Sequence, residues 1–396
     1  MARLPRVRVT AAGWAVSLLG VVGWGLGGPL AWTELRYLGT GAALVLVVGL
    51  LAVLVPRPAT AGISARPART AVGATTTIEL SVRAHLFPIA SPVVRIEGDL
   101  LGEEPAASAG RVLRLRTLWP GRARVESFEQ VAERRGIFEL GPVRHEQSDP
   151  LGQFRRTRSW GSASTLWVRP RVLVPGPFSH GGLFDLEGLP SEQISLSDLA
   201  FHALREYAPG DDLRRVHWRS SAKASKLLVR QYHESRSRNA AVLVDDDPES
   251  YADADELETA ISVAASLAIR ALTDGFDVDV ACGERVSRPA GREALLDETC
   301  AWGLAGPKGA AVDVLARASH LARTGTAIGI GVVVSGSACD LEKLLEASSA
   351  FGAEAHRIAV RVDPQGQGGV RDVHGVRVLE ISSLEQLPEL AAWAAA

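Results

Sequence analysis

Two stretches without charged residues near the N-terminus constrain the fold of this chain more than any other feature. The first runs from Ala11 to Trp32 and the second from Leu38 to Val55. Each approaches the roughly 20 residues that an α-helix needs to cross about 30 Å of hydrocarbon. Only a short charged connection at 33–36 separates them. The sequence therefore predicts a two-helix transmembrane hairpin in residues 1–56, with spans at about 11–32 and 38–55.

The basic residues that flank these stretches predict their orientation. Arginines precede the first span and follow the second, whereas the connection holds only Arg36, beside Glu34; the flanking residues are Arg3, Arg6, Arg8, Arg57, Arg66 and Arg69. By the positive-inside rule, the sequence predicts a multi-pass plasma-membrane protein whose two termini are both cytoplasmic. The alternative is a cleaved signal peptide followed by one span. The first stretch is long for that role and lacks a clear small-residue cleavage site.

Composition narrows the remaining possibilities. The 396 residues include 43 basic and 45 acidic ones, which excludes a wholly basic nucleic-acid binder and an acidic disordered chain. The three cysteines, Cys282, Cys300 and Cys339, form no CxxC pair. We therefore expect neither a disulfide framework nor a cysteine zinc site.

Short alternating segments with turn signals fill residues 60–170. Ile78, Leu80 and Val82 alternate with polar residues, as in a strand with one buried face. Pro-Gly, Gly-Pro and Asp-Pro pairs separate this segment from similar ones. The sequence predicts a small β-sandwich here, with an irregular linker as the alternative.

The pattern changes in residues 239–396. Ala241 to Val244 form a continuous apolar run, and Asp253 to Thr273 carry apolar residues at helical spacing. Further strands and helices alternate to the end of the chain. This order predicts a C-terminal α/β domain with a parallel, doubly wound sheet. Residues 171–238 then form a connecting segment.

The most informative part of that connection is a charged constellation at 205–223. A turn at 209–211 and a capping aspartate predict a helix with Leu213, Val216, His217 and Ser220 on one face. Nine basic against four acidic residues within 202–238 fit a lipid surface or an internal ion-pair network. We do not expect nucleic acid as a partner, because one tryptophan makes no stacking array.

A catalytic interpretation of the same segment is weaker. Asp211, His217 and Ser221 offer the residue types of a Ser/His/Asp site, but His217 and Ser221 lie four apart on one predicted helix. The sequence contains no Gly-x-Ser-x-Gly, P-loop or His-Glu-x-x-His motif. We therefore expect no defined catalytic activity in this segment.

The constellation resembles the signature of the domain-of-unknown-function-58 family. The residues that carry the resemblance are Arg205, Glu206, Tyr207, Gly210, Asp211, Arg214, His217, Trp218 and Ser221. The runs Arg135-Gly136-Ile137-Phe138 and Asp149-Pro150-Leu151-Gly152 are similar to the family's β-rich region, with Leu151 replacing the usual aromatic. The resemblance implies a von Willebrand factor A-like C-terminal domain and association with a MoxR-type AAA+ ATPase. It implies no settled activity.

Von Willebrand A-like domains often bind Mg²⁺ through Asp-x-Ser-x-Ser after the first strand. Asp245 occupies the aspartate position here, but Asp247 and Glu249 replace the two serines. This degenerate site predicts either a divalent cation, Mg²⁺ above all, or a solvated acidic loop.

Taken together, the sequence predicts a membrane-anchored, cytoplasmic-facing scaffold whose partners are the lipid bilayer and an AAA+ ATPase. We expect Arg205, Asp211, Arg214 and His217 to matter most. The alternative function is a metal-dependent enzyme that uses the acidic loop at 245–249.

Overall fold

The structure, a computed structural model, divides into two compact units, Met1–Arg169 and Pro170–Ala396. It describes residues 7–55, 57–98, 100, 110–176, 199–207, 216–224, 226–234, 239–305, 311–324 and 327–395. Each unit has an apolar core of its own.

The first unit begins with a short strand and two apolar helices. These are β1 (Val7–Val9), α1 (Ala11–Gly27) and α2 (Thr33–Leu54). The helices meet through glycines: a Cβ on Gly23 would lie 2.8 Å from the carbonyl oxygen of Leu35 and 2.9 Å from the nitrogen of Gly39. Backbones this close leave no room for a side chain at the crossing, which is how small residues let apolar helices associate.

The helix bounds differ from the predicted spans. The first helix ends at Gly27, because Gly28 and Pro29 cannot extend it favourably. The second begins at Thr33, within the predicted connection, since Glu34 is favourable in a first helical turn. With 22 residues and a mean hydropathy of 2.3, α2 is long and apolar enough to cross a membrane, whereas α1 is shorter. A pair of membrane spans stays a prediction.

The described residues of the first unit form ten further strands: β2 (Ala59–Arg66), β3 (Arg69–Ala71), β4 (Thr75–Ala84), β5 (Val93–Glu97), β6 (Gly110–Arg114), β7 (Ala123–Val131), β8 (Gly136–Leu140), β9 (Val143–Ser148), β10 (Phe154–Trp160) and β11 (Ser164–Arg169). They form three sheets, ordered β1-β10-β9-β5-β6, β2-β4-β7 and β3-β11-β8. Side chains from all three sheets share one apolar core. The alternation predicted for Ile78, Leu80 and Val82 is confirmed, since all three are buried on β4. Residues 60–170 are therefore not an irregular linker.

The turn between β9 and β10 joins the β strands to the helices. Asp149 accepts hydrogen bonds from the backbone nitrogens of Leu151 (3.0 Å) and Phe154 (2.6 Å), which closes the turn. The hydroxyl of Thr10, the N-cap of α1, donates to the carbonyl of Gly152 at 2.6 Å. The Asp-Pro-Leu-Gly pattern thus fixes where α1 begins.

The second unit contains a two-stranded sheet and a large one. Its elements are β12 (Leu199–Glu206), α3 (Trp218–Ala224), β13 (Leu228–Glu234), β14 (Asn239–Val244), α4 (Ala254–Thr273), β15 (Asp277–Cys282), β16 (Arg285–Ser287), α5 (Arg292–Thr299), α6 (Val314–Thr324), β17 (Ile328–Ser335), α7 (Leu341–Ser349), β18 (His356–Val362), β19 (Gly369–Val373), β20 (Val376–Ile381) and α8 (Leu387–Ala395). Strands β12 and β13 pair with each other. The large sheet is ordered β16-β15-β14-β17-β18-β20-β19.

This sheet is doubly wound, as the sequence predicts. Its central strands, β15, β14, β17, β18 and β20, run parallel, and the short edge strands β16 and β19 are antiparallel. Alternate residues of β14 face different cores: Val242 packs with α4 on one side, and Leu243 packs with α6 and α7 on the other. Burial on both faces explains the continuous apolar run.

Candidate functional site

The order of the central strands places a switch point at the carboxyl ends of β14 and β17. The chain passes from β14 to its neighbour on one side and reaches β17 on the other. Ligands of open α/β sheets bind at such points, outside the carboxyl ends of the strands. Asp245 follows β14, and Ser335 ends β17.

Asp245 is 1% exposed, and its carboxylate accepts three hydrogen bonds from the chain itself. Oδ2 accepts hydrogen bonds from the hydroxyls of Ser250 (2.7 Å) and Ser335 (2.8 Å). Oδ1 accepts one from the backbone nitrogen of Asp247 at 3.1 Å. A buried carboxylate needs such donors to offset its lost hydration. The arrangement braces the end of β14 against that of β17.

The other two residues of the predicted metal site point to different tasks. Asp247 caps the short 3₁₀ turn Pro248–Ser250 by accepting from the nitrogen of Glu249 at 3.0 Å. Its other oxygen lies 3.9 Å from Nζ of Lys343, which is 3.7 Å from Asp313. Glu249 is exposed. Among the residues that the structure describes, no three His, Cys, Asp or Glu side chains are grouped to hold a metal ion. The cation site stays a prediction.

Burial disfavours charge at the neighbouring titratable groups. It raises the pKa of Asp246, and the nearby charges of Asp245 and Asp247 raise this pKa further. A hydrogen bond from the backbone nitrogen of Val312 partly offsets the rise. Burial and the Asp245 carboxylate also raise the pKa of Tyr251, whose hydroxyl donates to the carbonyl of Asp245 at 2.7 Å. Burial raises the pKa of the Cys339 thiol. A thiol held neutral is a poor nucleophile.

Sequence reasoning missed Glu256, which is fully buried at the start of α4. Its carboxylate accepts from the backbone nitrogens of Ala252 (2.5 Å) and Ser337. The carbonyl of Ser337 in turn accepts from Arg361. Asp253 caps α4 by accepting from the nitrogen of Glu256 at 2.8 Å. The spacing Asp-x-x-Glu resembles a capping box, which is the sequence signal that marks this position.

The signature residues fall into three groups in the structure. Gly210, Asp211 and Arg214 lie outside the described residues, so their predicted roles stay predictions. Arg205 and Glu206 belong to β12, in register with Val229 and Leu228 of β13. Tyr207 continues this pairing, with its nitrogen donating to the carbonyl of Leu227 at 2.9 Å.

His217 and Ser221 attach α3 to β13. Nδ1 of His217 accepts from the nitrogen of Ser220 at 3.1 Å and so caps the helix. The buried hydroxyl of Ser221 donates to the carbonyl of His217 at 3.1 Å and accepts from the nitrogen of Leu228 at 2.8 Å. The hydroxyl is bonded to backbone atoms rather than to the imidazole, so this pair does not form an activated nucleophile.

The helix also starts later than its sequence predicts. Val216, placed on the predicted helical face, instead forms a β-bridge with Val229, and α3 begins at Trp218. The outer side of α3 is left to the solvent. Trp218 is 64% exposed, and Arg219 and Lys223, one turn apart, are exposed as well. Tryptophan and arginine are among the residue types that are enriched at the energetic centres of protein interfaces.

Known proteins resemble this chain over part of its length. Residues 203–385 match the family described as protein of unknown function DUF58. The uncharacterized protein YeaD of Bacillus subtilis (strain 168) is 26% identical over 168 residues, which are 41% of this chain and 40% of that protein. The chain thus matches less than half the length of this relative.

Solved structures give only weak likenesses. The CARDB domain of the PF1109 protein from Pyrococcus furiosus is 13% identical and covers 27% of this chain and 94% of that one, with a TM-score of 0.19. The alkylpurine DNA glycosylase AlkC of Pseudomonas fluorescens is 15% identical and covers 40% of this chain and 43% of its own, with a TM-score of 0.21. Neither carries an argument about function. The chain is therefore similar to the DUF58 family across the signature segment and most of the α/β unit.

Proposed function

We propose that this chain is a membrane-anchored interaction protein, without catalytic activity of its own, that binds a partner through the outer side of α3. The observation that carries the proposal is the exposure of Trp218. Its neighbours His217 and Ser221 use their polar atoms to hold α3 on β13. The segment thus combines a braced helix with an exposed aromatic side chain, a residue type that is enriched at the energetic centres of interfaces.

The length and hydropathy of α2 support the anchor. In the proposed arrangement α1 and α2 cross the plasma membrane together, and both termini are cytoplasmic. Arg8 and Arg57 flank one end of the pair, whereas Arg36 accompanies Glu34 at the other. This asymmetry supports a cytoplasmic β unit.

The proposed partner is an AAA+ ATPase of the MoxR type. The resemblance of residues 205–223 to the family signature supports this identity. Arg219 and Lys223 suit an acidic surface on the partner, because complementary charges guide and orient association. The parallel sheet and its strand order support a von Willebrand factor A-like classification of the α/β domain.

The test is affinity purification of the full chain from native membranes, with and without ATP. A Trp218→Ala, Lys223→Glu variant should lose an ATPase that the wild type retains. Trp119→Ala is the matched control, since Trp119 is 61% exposed in the other unit. Equal recovery with all three proteins would refute the assignment to α3, and a chain that leaves the membrane at high pH would refute the anchor.

The alternative is a metal-dependent enzyme that uses Asp245, Asp247 and Glu249. Their place at the switch point of the sheet favours this second candidate. A ligand that binds the native state raises its melting temperature as its concentration rises. Stabilisation by millimolar Mg²⁺, lost in Asp247→Asn and kept in an exposed control, Glu284→Gln, would favour the enzyme over the scaffold.

A further inference from the structure

One face of strands β9 and β10 lies against the C-terminal end of α2. Cross-strand pairing places His145 opposite Arg158 and Gln147 opposite Arg156 on this face. Gln147 donates to the carbonyls of Ala52 (3.0 Å) and Val55 (3.3 Å) at the end of α2. Arg156 donates to the carbonyl of Leu54 at 3.3 Å. The face is therefore fixed at the level where the apolar helix ends.

Three arginines at this level, Arg57, Arg156 and Arg158, form what we term the cationic belt. Among the described residues, no carboxylate lies within ion-pair distance of any of them. By contrast, Arg66, Arg124 and Arg144 of the β unit pair with Glu79, Glu126 and Glu97. Burial and the charge of Arg156 lower the pKa of Arg158, and Arg57 and Arg158 both disfavour a charge on His145. The belt thus concentrates positive charge, and no carboxylate in the described part of the chain pairs with it.

The same face contains buried polar atoms that have no hydrogen-bond partner in the described part of the chain. They are Nε2 of His145, Oε1 of Gln147, and the Nε atoms of Arg156 and Arg158. The side chains of His145 and Gln147 are each 2% exposed. Buried polar atoms are ordinarily satisfied. The two guanidinium Nε atoms are donors, so an acceptor from outside the chain is expected beside Arg156 and Arg158.

An apolar groove reaches the turn that precedes β10, the strand of Arg156 and Arg158. It lies between α1 and α2, has a volume of about 560 Å³, and is lined by residues such as Val16, Leu38 and Val45. Its lining extends to Leu151 and Gln153, at the turn that leads into β10. Leu151 is 63% exposed although it is apolar. The groove thus ends at Gln153, three residues before Arg156 of the cationic belt.

We infer that the cationic belt binds the phosphate of an anionic phospholipid, with an acyl chain in the groove between α1 and α2. This inference rests on the proposed membrane anchor, which brings the belt to headgroup level. A lipid fits better than a free anion, because only a lipid fills the charged and the apolar part together. Juxtamembrane arginines attract anionic lipid through the surface potential, and guanidinium groups bind phosphate in paired hydrogen bonds.

The test uses the full chain reconstituted in phosphatidylcholine bilayers that contain spin-labelled phosphatidylglycerol or spin-labelled phosphatidylcholine. Electron paramagnetic resonance measures the motionally restricted fraction of each lipid, and hence their relative affinity. The wild type should prefer phosphatidylglycerol, and salt should weaken the preference. The Arg156→Gln, Arg158→Gln variant should reduce it at least about fivefold, the effect of one arginine at an anionic surface. The Arg66→Gln, Arg124→Gln control loses the same charge and should keep it.

The outcomes separate this inference from the proposed function. If neither lipid shows a restricted fraction, the chain is not inserted and the membrane anchor itself is refuted. If both lipids are restricted equally in the wild type, the chain is inserted but the belt does not select anionic lipid, and the inference is wrong. Because this comparison needs only the wild type, it holds even if the double variant does not fold. Loss of the preference on addition of inorganic phosphate at constant ionic strength would identify a free-anion site instead.

Discussion

The sharpest prediction for the first unit concerns the protonation of His145. The ring is 2% exposed, stacks on Trp160 with centroids 4.3 Å apart, and lies with Nδ1 3.2 Å from the carbonyl oxygen of Val93. A proton on Nδ1 makes that contact a hydrogen bond and leaves Nε2 as a bare acceptor. Burial lowers the pKa of His145 from 6.5 to about 4, and the charges of Arg57 and Arg158 contribute.

The sign of the pH dependence follows from this depressed pKa. The unfolded chain takes up a proton as the pH falls through about 6.5, whereas the folded chain resists protonation until about pH 4. The contribution of the neutral His145 to the free energy of unfolding is therefore fully present above pH 6.5 and is lost as the pH falls towards 4. At about 1.4 kcal/mol for each pH unit between the two pKa values, the loss reaches about 3 kcal/mol.

The assay compares the wild type with His145→Phe, which keeps the stacking on Trp160 but cannot titrate. Hydrogen exchange of the β9 amides, corrected for the intrinsic rate at each pH, reports the opening free energy of this unit alone. Between pH 7 and pH 4.5 the wild type should lose about 2–3 kcal/mol more than the variant. Exposed His85→Gln is the matched control and should behave as the wild type. An identical pH dependence of the wild type and His145→Phe would refute the reasoning.

Three further predictions concern packing and hydrogen bonds. Gly23→Ala should weaken the association of α1 and α2 in bilayers, because the new Cβ would lie 2.8 Å from a backbone oxygen. Gly25→Ala is the control and should not weaken it, since nothing lies within 4 Å of a Cβ at that position. Thermal unfolding of the reconstituted chain compares the two variants. Ser221→Ala should destabilise the β12–β13 pair by about 1–3 kcal/mol, because the nitrogen of Leu228 loses its acceptor, and hydrogen exchange of β13 measures the loss. Asp245→Asn should lower the stability of the α/β unit by about 1–3 kcal/mol, because an amide has one acceptor oxygen and cannot accept both from the serine hydroxyls and from the nitrogen of Asp247. Exposed Glu249→Gln should change it by less than about 0.5 kcal/mol in the same urea titration. Equal effects of the two glycine variants, or of the two carboxylate variants, would contradict the corresponding contact. Unchanged hydrogen exchange of β13 in Ser221→Ala would contradict the contact with Leu228.

The α/β unit was largely predictable from the sequence because its strands are buried on both faces. The run Ala241–Val244 and the helical spacing of 253–273 correspond closely to β14 and α4. The edge strands β16 and β19 were missed, since short, partly exposed strands carry no continuous apolar run. The sequence analysis also missed α5, because this short helix is mostly polar and carries only a weak apolar pattern.

Long-range strand pairing explains why the start of the helix in the signature segment was predicted too early. The spacing of Val216 and Ser220 fits a helix, but the pairing of Val216 with Val229 extends the chain at that point and delays α3. Local propensity yields to such tertiary contacts. At the candidate site, strand-end reasoning located Asp245. Its bond to Ser335, 90 residues away, is visible only once the sheet is assembled.

The N-terminal helices show what hydropathy can and cannot specify. The charge-free stretches located both helices, but the actual ends depend on Pro29 and on the first-turn residue Glu34. The glycine crossing at Gly23 and Gly39 was not evident either, because it needs the register of one helix on the other.

The central claim, that a membrane-anchored chain binds its partner through α3, is tested most directly by photo-crosslinking in native membranes. A photoreactive amino acid replaces Trp218 in one variant and the equally exposed Trp119 in the other. The account predicts one dominant crosslinked protein from position 218, recovered with the membrane fraction and absent from position 119. The same crosslinks from both positions, or none from 218 in a chain that remains in the membrane, would contradict it.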